Sequence, residues 1–70
     1  MNDGLVSRLK EIRGAAGLTQ AELAERVGVS RKTINTVENG VFIPSTILAL
    51  KLGRALDCPV EALFQLVAEA

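Results

Sequence analysis

Thr19–Gly40 reads TQAELAERVGVSRKTINTVENG, and the punctuation of this stretch decides the fold. Thr19 and Glu22 have the spacing of a capping box, in which the hydroxyl accepts from a first-turn N–H and the carboxylate reaches back. The helix opened there places Leu23, Ala24 and Val27 on one face and an i,i+4 pair, Glu22 and Arg26, on the other. Gly28 stops it, and Ser30 is the next N-cap, just before Arg31. Two short helices therefore meet at a steep bend over Gly28-Val29-Ser30, with Val29 pointing inward to fill the angle. Ile34 and Val37 form the buried stripe of the second helix, which leaves Arg31, Lys32, Asn35 and Thr36 facing outward.

The flanking sequence reads as three further helices. Leu5, Leu9, Ile12 and Ala16 recur at helical spacing before a stop at Gly17. Pro44 holds Ile43 extended, so Val41–Pro44 is a loop. Ser45 caps a fourth helix running to about Leu56. With Ile47, Leu48, Leu50, Leu52, Ala55 and Leu56 it is apolar nearly all round, as a central buried helix should be. Pro59 opens a fifth, with Val60, Leu63, Phe64 and Val67 as its apolar positions. No strand-period alternation appears. The expectation is an all-α, five-helix single domain over residues 1–70, with its helix-turn-helix core at 19–40.

Composition bounds the function. The 70 residues are 49% hydrophobic and mostly aliphatic, as a domain that buries only about 60% of its unfolded surface requires. There is one cysteine, Cys58, and no histidine, so a zinc finger, a Cys/His nucleophile and a histidine base are all excluded. No catalytic residues, metal or cofactor are expected, and an enzyme is not. No apolar run approaches the ~18 residues of a membrane span, so no membrane partner and a cytoplasmic location are expected. The formal net charge of zero divides unevenly: residues 1–54 hold eight basic and five acidic side chains, for +3, and residues 55–70 carry −3.

The outward face of the third helix has groove chemistry. Arg and Lys donate to guanine O6/N7, Asn pairs bidentately with adenine, and Thr meets a thymine methyl or a phosphate. The N-termini of the second and third helices offer free N–H groups to phosphates, with Gln20, Ser30 and Thr33 as side-chain donors. An ordinary solvated surface helix has the same residue types, so the turn and the caps carry this reading.

TQAELAERVGVSRKTINTVENG followed by PSTILALKLGRALDCPVEALF closely resembles the helix-turn-helix family of phage Cro and repressor proteins and their bacterial (XRE-like) relatives. The resemblance spans roughly Leu5 to Phe64 and rests on T-Q-x-x-L-A, G-V-S-R, E-N-G and P-S in order. It implies a lambda-repressor-like five-helix domain that binds double-stranded operator DNA as a two-fold dimer and regulates transcription, most often as a repressor. Position by position, it implies base reading by Arg31, Lys32, Asn35 and Thr36. It implies DNA-backbone contacts from Gln20, Ser30, Thr33 and Asn39, and an Arg13–Glu38 pair supporting the site. The chain departs from the pattern after E-N-G, where many relatives have Lys or Arg: Val41, Phe42 and Ile43 stand there instead. Fewer phosphate contacts imply a shallower salt dependence.

A homodimer is expected through the C-terminal region, where Val60, Leu63, Phe64, Leu66 and Val67 exceed what one core-facing stripe needs. Cys58 reads as a small hydrophobe near that surface. Three function classes stay open: a stand-alone regulator on an inverted repeat; the DNA-binding segment of a larger effector-sensing regulator or an antitoxin; and a helical protein-interaction module that does not bind DNA. The apolar end FQLVAEA leaves room for a C-terminal partner or effector domain.

Overall fold

Helix starts in this chain are set by capping side chains. In the computed structural model, which describes residues 4–67, Thr19 Oγ1 accepts from the Glu22 N–H at 3.0 Å and Glu22 Oε1 accepts from the Thr19 N–H at 2.8 Å. Ser30 and Ser45 do the same one-sidedly, each accepting at 3.1 Å, from Thr33 and Leu48. These caps open α2 (Gln20–Val27), α3 (Arg31–Glu38) and α4 (Thr46–Leu56). Two shorter helices, α1 (Leu9–Ala15) and α5 (Val60–Leu63), complete the five. Gly28 ends α2 at φ 76°, a left-handed conformation that glycine adopts without Cβ strain.

Donation from the Thr19 backbone N–H, aided by its side chain, holds the Glu22 carboxyl below the usual carboxylate range. Its support of α2 is therefore present above that range and is lost as pH falls through the lowered value. Glu22 and Arg26 are not within ion-pair distance, because the carboxylate is turned to the cap.

The structure corrects the chain ends. Leu5 does not belong to the first helix, and the fifth stops at Leu63. Leu5–Ser7 (β1) and Phe64–Leu66 (β2) instead form an antiparallel pair, in the register Leu5↔Leu66, Val6↔Gln65, Ser7↔Phe64. The Arg8 N–H donates to the Leu63 carbonyl at 2.8 Å and the Val67 N–H to the Gly4 carbonyl at 3.0 Å, extending the ladder on both sides. Three residues per strand are too few for periodicity to register in the sequence, and the pairing partner lies about sixty positions away.

Each helix contributes at least one fully buried aliphatic to the core: Leu9, Leu23, Ile34 with Val37, Leu52 and Leu63. Val27, Leu48 and Phe64 surround them. α4 is not enclosed on every side as its composition suggests. Leu48 and Leu52 face the core, whereas Ile47 and Leu50 are exposed.

Tight packing falls at Gly53, where α4 meets the turn into α5. A Cβ there meets the Cys58 backbone carbonyl at 2.8 Å, and that same residue donates its N–H to the Gly53 carbonyl at 2.9 Å. The turn is held by Asp57 in a left-handed conformation, φ 56°. Gly53→Ala therefore forces backbone rather than side chain to move. We expect a loss of ~1–3 kcal/mol in urea unfolding; a neutral or stabilising effect contradicts this packing.

Candidate nucleic-acid interface

The bend between α2 and α3 is built as the sequence indicates. The Gly28 and Val29 N–H groups both donate to the Ala24 carbonyl, at 2.9 and 3.0 Å. Val29 packs half-buried against the core, and Ile34 and Val37 pin the inner side of α3. With two positions buried one turn apart, the outer face of α3 is fixed in rotation. Arg31, Lys32 and Asn35 are exposed on it, and together with Gln20 they line one shallow hollow. Thr36 stands apart: it is half-buried, and its hydroxyl donates to the Thr33 carbonyl at 3.0 Å.

Among the backbone-contact candidates, Ser30 accepts from the Thr33 N–H as the α3 cap, and its Oγ lies 3.0 Å from Thr33 Oγ1. Asn39 is exposed and donates through Nδ2 to Asn35 Oδ1 at 3.2 Å. This bond holds the Asn35 carboxamide from the C-terminal side of α3. Gln20, at the first position of α2, is engaged on both sides of its amide.

The supporting pair is present and is not a surface pair. Arg13 donates from Nε to Glu38 Oε2 and from Nη2 to Glu38 Oε1 at 3.3 Å, while its Nη1 donates to the Leu18 carbonyl at 2.8 Å. The Glu38 side chain is only 1% exposed and that of Arg13 14%. Hydrogen bonding to Glu38, which outweighs the opposing cost of burial, raises the Arg13 pKa above its ordinary value. The pair joins the end of α1 to the end of α3, and it leaves no uncompensated acid on the outer face of α3.

Sequence spacing does not reveal the link from this pair to the hollow. Glu38 Oε1 also accepts from Gln20 Nε2 at 2.9 Å, and Gln20 Oε1 accepts from Arg31 Nε at 3.4 Å. The partners are 18 and 11 residues apart, so no local pattern marks them; only the predicted fold and the Arg13–Glu38 pair point toward the same corner.

The C-terminal apolar set divides in two. Leu63 and Phe64 belong to the chain's own core, at 0% and 9% exposure, and are not available to a partner. Leu66 is 78% exposed, and Val60 and Val67 are half-buried. Val41, Phe42, Ile43, Ile47 and Leu50 are exposed apolar side chains as well. Ile43 and Leu50 line a groove of about 300 Å³ with Leu5, Val60 and Phe64. Phe42 is not part of the core.

Among the described residues no helix is long and apolar enough to cross a membrane, and no three His, Cys, Asp or Glu side chains gather as a metal site.

Comparison with known proteins agrees with this geometry. Residues 9–63 match the helix-turn-helix family HTH_3. The uncharacterized HTH-type transcriptional regulator YgzD of Bacillus subtilis is 40% identical over 63 residues, covering 90% of this chain and 96% of the relative. The restriction-modification controller protein C.AhdI of Aeromonas hydrophila superposes with a TM-score of 0.73 at 41% identity, over 77% of this chain and 82% of that one. The biofilm regulator SinR, solved in complex with DNA, gives 0.72 at 31% identity, over 77% and 87%. With the matched family covering the bend, the core and all five helices, the chain belongs to the helix-turn-helix family of transcriptional regulators.

Proposed function

We propose that this chain is a sequence-specific regulator that lays α3 in the major groove of an inverted-repeat operator, binds there as a homodimer and represses by occupying the site. The observation that carries the reading is the rotational fixing of α3. Ile34 and Val37 are buried on one side, while Arg31, Lys32 and Asn35 converge on the other in a single hollow. Side chains of these types on a helix held in one rotation match the donor and acceptor pattern of base edges. SinR, similar in fold and sequence, is solved on DNA. Ser30, Thr33 and Asn39 flank the hollow as phosphate contacts, and Thr36 meets a thymine methyl through its own methyl, since its hydroxyl is engaged.

Selection from a random duplex pool tests the reading and is expected to return an inverted repeat whose affinity falls with salt. Arg31→Ala and Asn35→Ala should each weaken binding to the selected site by ~1–3 kcal/mol. Unchanged affinity in both variants removes the base-reading assignment, and the failure to select any sequence favours a protein-interaction module.

The exposed apolar side chains support the dimer. Ile47 and Leu50 share a second hollow with Lys51 and Arg54, next to the groove of Ile43 and Leu50. Leu66 is the cross-strand partner of Leu5, so both lie on the sheet face that borders the groove. Patches of several hundred Å² on a small chain mark partner contacts. Leu50→Glu is expected to leave the fold intact and convert the dimer to monomer in sedimentation. A wild-type chain that remains monomeric on its duplex removes the dimer.

A further inference from the structure

We infer that the homodimer is set in register by charge: Lys51 and Arg54 of one copy face Asp57 and Glu61 of a second copy across a two-fold axis. The inference rests on the homodimer proposed above and names what fixes the placement of its two chains. It begins from the acidic end of the sequence, which no proposed DNA contact uses: residues 55–70 carry −3, against +3 for residues 1–54. Asp57 and Glu61 belong to that end, and both are exposed. Just before them stand Lys51 and Arg54, also exposed, one turn apart on α4. None of the four is within ion-pair distance of an opposite charge; the ion pairs among the described residues are Arg8–Glu11 and Arg13–Glu38.

One turn holds both signs in place. The Cys58 N–H donates to the Gly53 carbonyl at 2.9 Å and the Asp57 N–H to the Arg54 carbonyl at 3.3 Å. Gly53, with no room for a Cβ, lets that turn close against α4. Arg54 and Asp57 consequently line one hollow with Leu50 and Val60, the neighbour of Glu61. Lys51 lies on the other side of Arg54, in the hollow of Ile47 and Leu50. The surface thus reads cation, cation, carboxylate, carboxylate, beside an apolar strip in which Ile47 and Leu50 are exposed. A two-fold interface sets one patch against itself in reverse, so that residue i meets j and j meets i. A row of charges that changes sign halfway is complementary to its own reversal. With the axis over the hollow of Arg54 and Asp57, each copy supplies cations to the other's carboxylates while the apolar strips cover one another. A slipped register brings like charges together, which costs far more than an exposed ion pair contributes. Apolar burial supplies the affinity, and charge selects the register.

The test uses two variants that leave the core untouched. Lys51→Glu/Arg54→Glu makes the row wholly acidic, and Asp57→Asn/Glu61→Lys makes it basic. Asparagine accepts the left-handed conformation of position 57 as aspartate does. Thermal melts confirm that both fold, and sedimentation, free and on the selected duplex, reads their self-association. Each variant alone is expected to dimerise roughly a hundred-fold more weakly than wild type. Mixed in equal amounts, the two should form a heterodimer within about ten-fold of the wild-type Kd, since one of its charge contacts is native and the other has its signs exchanged. Neutral Lys51→Gln/Arg54→Gln should weaken the dimer only a few-fold. Lys10→Glu, a charge reversal on the exposed side of α1, should leave it unchanged. Variants that self-associate as wild type does, a mixture that stays monomeric, or an equal effect from Lys10→Glu each overturns the inference while leaving an apolar dimer standing. A wild-type chain that is monomeric both free and on its duplex fails differently: it removes the homodimer itself, and the register with it.

Discussion

Arg13→Met should cost about 3–5 kcal/mol of unfolding free energy, enough to unfold much of a domain this small at ambient temperature. The reason is what it leaves behind. Glu38 is buried at 1% exposure, and two of its three hydrogen-bond donors are on Arg13. Gln20 alone cannot balance a full negative charge out of water. The Arg13→Met/Glu38→Leu pair removes the charge as well as its partner and is expected to recover most of the loss, since a buried ion pair is often replaceable by apolar packing. Urea unfolding followed by circular dichroism measures both variants. A loss below ~1 kcal/mol for Arg13→Met shows that water reaches Glu38 and that the pair is a surface one.

Leu63→Ala is the second large effect, about 2–5 kcal/mol, because it empties a fully buried site where α5 closes the core. Paired with Leu66→Ala it separates two roles that the sequence merges. Leu63 has no exposure to give a partner, and Leu66, three residues on, has 78%. The first substitution should lower thermal stability at every protein concentration. The second should leave monomer stability within ~0.5 kcal/mol and weaken self-association instead. If Leu66→Ala destabilises as much as Leu63→Ala, Leu66 belongs to the core and the partner face lies elsewhere.

Where residues declare themselves locally, the sequence is a good guide to this molecule. Thr19, Ser30 and Ser45 each cap the helix that follows them, and Gly28 turns the chain at the bend. A cap acts within one turn, so its meaning does not depend on the rest of the fold. The misjudged elements all depend on distant partners. Leu5 and Phe64 sit at helical spacing from their neighbours, yet both enter strands because each finds the other end of the chain. Ile47 and Leu50 look like core on composition, and only the placement of the other helices shows that α4 has more apolar surface than the core can cover. At the candidate interface, burial of Ile34 and Val37 follows from their spacing and fixes the outward set. The engagement of Gln20 does not, since it requires α1, α2 and α3 to be in place before its amide has anything to bond.

The β1–β2 pair also dictates when the fold can finish. Its two strands are separated by about sixty residues, so the first waits for the second to be made. Until then Leu5 and the Arg8 N–H have no partner. α2 and α3, by contrast, have their caps, their bend and their mutual packing within twenty residues, so they can assemble while the chain is still being made. The helix-turn-helix half is thus the local, early part of the molecule. The closure that brings Gly4 beside Val67 comes later, since it closes the longest loop among the described residues. Breathing of the native state should therefore begin at that seam, leaving α3 ordered while the two strands separate.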